Sequence, residues 1–495
     1  MKTWRWLVIL ALGFVLLIGF FYGVEDFRGA RAWSKFKRAQ AAEGEKLNPA
    51  DFVPPPVTDE QNFAMTPLLR PLFDFIHTTN GTQWRDSNAW QRLSNIRIDL
   101  GPRGVLPPTP NLSDVQPDAA VDLKPFADFY RANTNYPQNA HPGTDAEDVL
   151  TALNKFEPEL KELREAAAAR PFSRFPIEYS YEPPAAILLP HLATIKGVTL
   201  VCELRAIAEL ETHHPDDALA DLQLGFRLSG SIRDEPFLID HLVRIAALNL
   251  TLHGIREGLT RHAWSDSQLV AFENTLTNID LLDEYERVMR GERAFTISGV
   301  DYYRREGIGP GSLDSSGPNP IFKFIPSGWY RQNMVLIGET YRDFMLPAVD
   351  ASNHVVRPGL GDEMNSDITT RRLSPYNVFA KMLLPALGKA SQRTARGQTL
   401  LDETAVACAI ERYRIQHHEL PDTLGALAPQ FIAKIPHDLF GGQPLLYKKN
   451  ADGSYILYSI GWNGKDDGGV TAHTTGSKPR QNPNEGDWVW EFPGK

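Results

Sequence analysis

Cysteine is scarce in this chain, which carries two among 495 residues. Cys202 and Cys408 stand in apolar helical contexts with no CxxC or Cys/His ligand spacing, so buried free thiols are expected in preference to a disulfide or metal pair. Positive charge is also short: 51 Lys and Arg face 61 Asp and Glu, a formal net charge of −10. Nucleic-acid binding needs a basic face to neutralise phosphates, and no such face stands out, so nucleic acid is not an expected partner. Catalytic signatures are missing as well. There is no GxSxG, no P-loop, no HExxH and no GxGxxG in a βαβ setting. His213-His214 beside Asp216-Asp217, and His417-His418 beside Glu419, do set imidazoles next to carboxylates. Neighbours on a helix point about 100° apart, however, whereas a helical zinc pair sits four residues apart. These pairs therefore read as helix-end and surface residues, and no catalysed reaction follows from the sequence.

What the chain does have begins with a charge-free run, Trp6 to Val24 (WLVILALGFVLLIGFFYGV). It is close to the ~20 apolar residues that cross a bilayer as a helix. Lys2 and Arg5 precede it as in a signal peptide, and Ala30-Arg31-Ala32 has the form of a cleavage site. Glu25, Asp26 and Arg28 are wrong for a cleavage region, which favours a retained single-pass anchor. Orientation draws conflicting signals. Arg28, Arg31, Lys35, Lys37 and Arg38 would hold the following segment in the cytoplasm, whereas a short N-terminal tail before an anchor is typical of export. The expected placement is the inner (cytoplasmic) membrane with the bulk of the chain periplasmic.

Composition beyond the anchor is that of a folded protein, with 42% hydrophobic and 23% charged residues and, from 37 Gly and 37 Pro, long irregular connections. Its length calls for more than one folded unit. Residues 1–24 form the anchor and 25–60 a juxtamembrane stalk with a linker at Pro54-Pro55-Pro56, which enforces extended backbone. The run GEKLNPADFVPPPVTDEQNFAMTPLL resembles a recurring N-terminal block of uncharacterised membrane-anchored bacterial proteins. Residues 61–146 hold no sustained period and several turns, such as Gly101-Pro102 and Pro107-Pro108, so an irregular mixed region is expected. From 147 to 296 apolar residues fall at helical spacing: Leu200, Leu204 and Ile207; Leu219, Leu222 and Phe226; Leu238, Leu242 and Ile245. His214-Pro215-Asp216 ends one helix and opens the next, and Ser265 with Gln268 makes a capping box. HHPDDALADLQLGFRL is similar to the second helix of a tetratricopeptide-type repeat, so an array of α-hairpins or an ordinary bundle is expected, offering a surface for protein partners. Residues 297–375 read as a loop-rich linker containing GIGPGSLDSSGPNP and a helix from Trp329 to Met345.

Residues 376–495 are the most specific part. A helical run from Tyr376, interrupted near Pro385, continues to His418, and its stripe of Leu401, Ala405, Cys408, Ala409 and Tyr413 must pack on something. Leu445 to Lys448 and Ser454 to Ile460 supply two short strands joined by Asn450-Ala451-Asp452-Gly453. Arg412-Tyr413-Arg414 closes the helix, Ile435-Pro436-His437-Asp438-Leu439-Phe440-Gly441-Gly442-Gln443-Pro444 makes a turn, and Tyr458-Ser459-Ile460-Gly461-Trp462-Asn463-Gly464-Lys465-Asp466-Asp467-Gly468-Gly469 makes a glycine-rich loop, with Asp487-Trp488 beyond it. In that order these motifs resemble the head of the major pseudopilin of type II secretion systems, the protein G-like family. The resemblance implies a long helix on a small antiparallel sheet and a calcium site in the loop, with Asn463, Asp466, Asp467 and Asp487 as oxygen ligands. A solvated Asp/Gly turn closing the sheet is the alternative for the same residues. The family's prepilin cleavage site and polymerising helix are not where the family needs them, so pilus-like assembly is not implied.

The expected fold class is thus multidomain α+β: an N-terminal transmembrane helix, a helical-hairpin middle and a pseudopilin-like end. The expected function is a non-enzymatic envelope protein that binds or scaffolds secretion-related partners. The alternative is an anchored extracytoplasmic hydrolase with its site in the unassigned N-terminal half.

Overall fold

The apolar run and the basic stretch after it form one uninterrupted helix, α1 (Lys2–Ala42), in the computed structural model, which describes residues 2–78, 81–100, 120–308, 324–475 and 481–492. Its first half is exposed and apolar, with a mean hydropathy of 2.7, long enough to cross a membrane. A hairpin of β1 (Phe75–Thr78) and β2 (Gly81–Trp84) follows, then α2 (Ser87–Ser94), α3 (Lys124–Arg131), α4 (Asp145–Leu153) and α5 (Glu157–Ala169). Longer helices come next: α6 (Pro190–Glu211), α7 (Pro215–Gly230), α8 (Leu238–Thr260), α9 (Asp266–Leu276) and α10 (Leu281–Glu306). Beyond them lie α11 (Ser327–Thr340), the small hairpin β3 (Val349–Asp350) and β4 (Val355–Val356), α12 (Leu360–Thr370), α13 (Val378–Leu383) and α14 (Ala390–His417). The last strands are β5 (Leu446–Lys449), β6 (Tyr455–Ser459), β7 (Thr471–His473), β8 (Gln481–Gly486) and β9 (Trp488–Phe492).

Local chemistry explains the boundaries. Proline opens α6 and α7 at positions where its missing N–H costs nothing. Ser265 and Gln268 exchange both bonds of the capping box ahead of α9, and Gly307 ends α10 in the left-handed conformation. The chain is mostly helical, with small antiparallel sheets. Strand order in the largest is β5-β6-β9, with Leu446 opposite Tyr458 and Leu457 opposite Trp490. Val406, Cys408 and Ala409 of α14 share a core with Leu457 and Trp490 of this sheet.

Three expectations need correction. Residues 25–42 are not a free stalk: Glu25, Phe36 and Gln40 are buried, and Gly338 of α11 packs against the Phe36 ring. Gly29, Trp33, Phe36 and Gln40 recur at helical spacing, so the helix leaves its apolar stretch with one face already committed to the body. Residues 297–375 are not a linker, since Ile297, Val300, Tyr330, Ile337, Met364 and Ile368 lie in a common core. Position 297 falls inside α10, and its apolar stripe simply continues. Nor does residue 376 mark a break in the interior, because Leu252 and Phe272 of the helical middle and Leu401 and Tyr455 of the C-terminal part belong to one cluster. The region 61–146 contributes Phe63, Leu72, Phe126 and Tyr130 to a core shared with α6. The turns at Gly101-Pro102 and Pro107-Pro108 and nearly all of the loop at 307–320 lie outside the described residues.

Candidate functional site

Three helices and a strand each turn one stripe toward a common cleft. Helices α6 and α8 run side by side in the same direction, since residues of their first turns meet and so do Glu203 and His253, about three turns further on. α6 offers Lys196 and Glu203; α8 offers Asn249, His253 and Arg256; α14 offers Arg396, Thr399 and Glu403. The spacings of three, four and seven residues put each set on one helix face. Trp488 and Trp490 of β9, two apart and therefore on one side of the sheet, close the cleft. The cavity holds about 300 Å³, at the lower bound for small-molecule sites.

Its polar groups are only partly satisfied by the protein. Glu203 Oε1 meets His253 Nδ1 at 2.7 Å. Arg256 lies over the Trp490 ring at 5.7 Å from its centre and donates to the Glu491 carbonyl, while Arg396 lies over Trp488 at 5.4 Å. By contrast, Glu203 Oε2, His253 Nε2, Thr399 Oγ1, Glu403 Oε1 and Trp490 Nε1 are buried without a hydrogen-bond partner. Buried polar atoms normally find one, so five of them around one cavity single it out as the candidate site.

Burial sets the electrostatics of the lining. Burial pushes the Glu403 carboxyl well above the carboxylate range, with Arg396 opposing. Burial also raises Glu203, and although burial alone would lower His253, the Glu203 carboxylate holds it above its ordinary value. Lys196, Arg256 and Arg396 outnumber Glu203 and Glu403 in the lining, so the cleft carries an excess of cationic groups.

The sequence-expected residues land elsewhere. In the loop, Asp487 is buried and accepts the N–H groups of Asp467 (3.1 Å), Gly469 (2.6 Å) and Val470 (3.4 Å). Asp466 accepts from Gly468 N and the Tyr458 hydroxyl, and Asp467 accepts from the Asn463 amide. Each group already serves the turn, and the three carboxylates do not form a ligand cluster. His213 and His418 adopt left-handed backbone at exposed helix ends, and His417 stacks on Tyr413. Cys202 and Cys408 are buried free thiols. Among the described residues the metal-ligand cluster is instead His191, Glu235 and Asp240, where α6 and α8 begin.

The cleft escaped sequence reading because its residues come from positions 196 to 490 with no local motif. The available signal was charged residues on otherwise apolar helix faces, such as Glu203 after Val201-Cys202 and Glu403 after Leu401. No family model, curated protein or solved structure matches the chain.

Proposed function

We propose that the protein is a single-pass membrane-anchored envelope protein of the binding or scaffolding kind, and that its cleft takes a small anionic ligand. One observation carries this reading: unpartnered buried polar atoms converge on a single cavity whose cations outnumber its charged carboxylates. Guanidinium groups recognise carboxylate or phosphate oxygens, and the two indole rings suit the flat or pyranose face of the rest of the molecule. The packed segment Glu25 to Ala42 supports a retained anchor, since cleavage after Ala32 would cut a helix docked on the body. Under the export orientation the cleft stands on the periplasmic side of the cytoplasmic membrane. The arrangement of α14 on the β5-β6-β9 sheet supports the pseudopilin-like reading of the C-terminal part and, with it, secretion-related protein partners.

The test uses the full chain in detergent micelles, with glucose 6-phosphate, glucose and inorganic phosphate as probes. Glucose 6-phosphate should raise the melting temperature and change the tryptophan fluorescence, glucose should do neither, and Arg396→Gln should abolish the response. An equal response to glucose, or none to either phosphate-bearing probe, would overturn the anionic-ligand reading.

A second reading is favoured by the Glu203–His253 pair beside Glu403, a carboxyl whose pKa burial raises, which gather acid–base groups in one cavity. It makes the protein a hydrolase acting on the same ligand, with its site in the cleft and not in residues 61–146. Release of phosphate from glucose 6-phosphate, lost in Glu403→Gln, would decide for it.

A further inference from the structure

His191, Glu235 and Asp240 meet in the interior where α6 and α8 begin, their ligand atoms all within 4.8 Å of one another. Residual exposure is 0% for His191, 4% for Glu235 and 0% for Asp240. The surroundings are apolar: His191 stacks on Phe175 with ring centres 4.2 Å apart, and Phe73 covers it at 5.3 Å. What the protein supplies does not satisfy the three groups. Glu235 Oε2 meets His191 Nε2 at 2.9 Å and the Glu235 and Asp240 carboxyls are close enough to share a proton, but His191 Nδ1 has no partner and neither Glu235 Oε1 nor either Asp240 oxygen receives a hydrogen bond from any other donor. Among the described residues no Lys or Arg makes an ion pair with either carboxylate.

Two charged carboxylates removed from water without a cation are strongly disfavoured. Folded proteins resolve this by pairing the charge, by neutralising it or by coordinating a metal. Stability alone would put leucine or phenylalanine at Asp240, beside Phe237 and Leu238. An imidazole nitrogen with two carboxylate oxygens is a donor set of the kind that zinc and manganese accept. A divalent ion balances both carboxylates while the imidazole stays neutral, and the stacked phenylalanine rings already fix the histidine plane.

We propose that His191, Glu235 and Asp240 bind a structural divalent transition-metal ion of the zinc class. The three ligands come from the first turn of α6, the turn between α7 and α8, and the first turn of α8, so the ion ties together three segments that the helix ladders leave independent. The enclosed position makes the ion part of the folded core. Three protein ligands leave a fourth place for water.

The test uses the full chain in detergent micelles, stripped with a chelator and then dialysed against zinc. Metal is counted by mass spectrometry, and cobalt is substituted as a visible-absorption probe. Wild type should retain one ion per chain, lose thermal stability on stripping and regain it with zinc. Asp240→Asn and Glu235→Gln remove a buried charge and should fold, yet their metal content should fall to background. The cobalt band should vanish in His191→Gln. Absence of metal from the wild type, with a melt indifferent to the chelator, would overturn the proposal and leave a shared proton as what holds the two carboxylates. Retention of the same metal by Asp240→Asn would overturn it too, by placing the ion at another site.

Discussion

Gly328 packs against the main chain of Glu25 with no room for a side chain: a β-carbon there would overlap the Glu25 carbonyl oxygen and stand 3.0 Å from the Asp26 nitrogen. The same junction is sealed by Trp329 Nε1 donating to Glu25 Oε2 at 3.0 Å and Gly328 N donating to Asp26 Oδ1 at 2.7 Å. Both acidic residues face the N-terminal end of α11, where the helix dipole favours negative charge. Helix α1 is therefore clamped to the body at the point where it leaves its apolar stretch.

Gly328→Ala should break that clamp. Forcing a methyl group into the contact costs about 1–3 kcal/mol, and relief comes by lifting α1 off α11. Limited proteolysis should then cut between Glu25 and Gly44 in the variant while leaving the wild type intact there. Equal resistance in both would mean that the junction has slack.

The helices from 190 to 276 were legible because each buries a continuous apolar stripe and begins at a proline or a capping box. The hairpin around Asn450 to Gly453 was legible for a similar reason: turn residues separate two short apolar runs. The second half of α1 was harder to read, since its buried stripe is set among Lys35, Lys37 and Arg38, which suggested a solvated stalk. The cleft and the His191 cluster were not legible at all. Members on different elements are 40 or more residues apart, Glu235 and Asp240 excepted, and only the packing of α6, α8 and α14 brings them together.

Glu284 provides a test by pH. Burial alone would raise its pKa, but the Arg244 charge, the two Arg244 hydrogen bonds and the nearby His241 ring bring it down to about 2. A folded pKa below the unfolded value of 4.5 adds stability that is present above 4.5 and lost as pH falls toward 2. The difference corresponds to about 3 kcal/mol. Glu284→Gln should thus lower stability by that order at neutral pH, and the gap to wild type should close as acid protonates Glu284. Urea melts at neutral pH and at about pH 3 would measure it; a gap that does not shrink would assign the loss to packing instead.

Asp487 holds the 463–470 turn by its carboxylate, so Asp487→Ala strands three backbone N–H groups. Losing hydrogen bonds to a charged acceptor should cost about 1.5–3 kcal/mol and speed amide exchange of Asp467, Gly469 and Val470. Adding calcium at about 1 mM, the weak end of the range for extracellular modules, tests the ion expectation in the same experiment. A melt unchanged by calcium in the wild type makes Asp487 a clamp for the turn. A saturable rise that disappears in Asp487→Ala makes it a calcium ligand.

Membrane orientation can be read with the native thiols as a silent background. Cys202 and Cys408 are 1% and 0% exposed, and burial pushes both thiols well up, so neither should react in the folded protein. Lys465 is exposed at the tip of the glycine-rich turn, and Lys465→Cys offers one reactive site on the C-terminal body. In intact spheroplasts a membrane-impermeant maleimide should label this variant and leave the native chain unlabelled until it is denatured. Labelling only after lysis would place the body in the cytoplasm. In that case Arg28, Arg31, Lys35, Lys37 and Arg38 set the topology, and the periplasmic reading of the cleft falls with it.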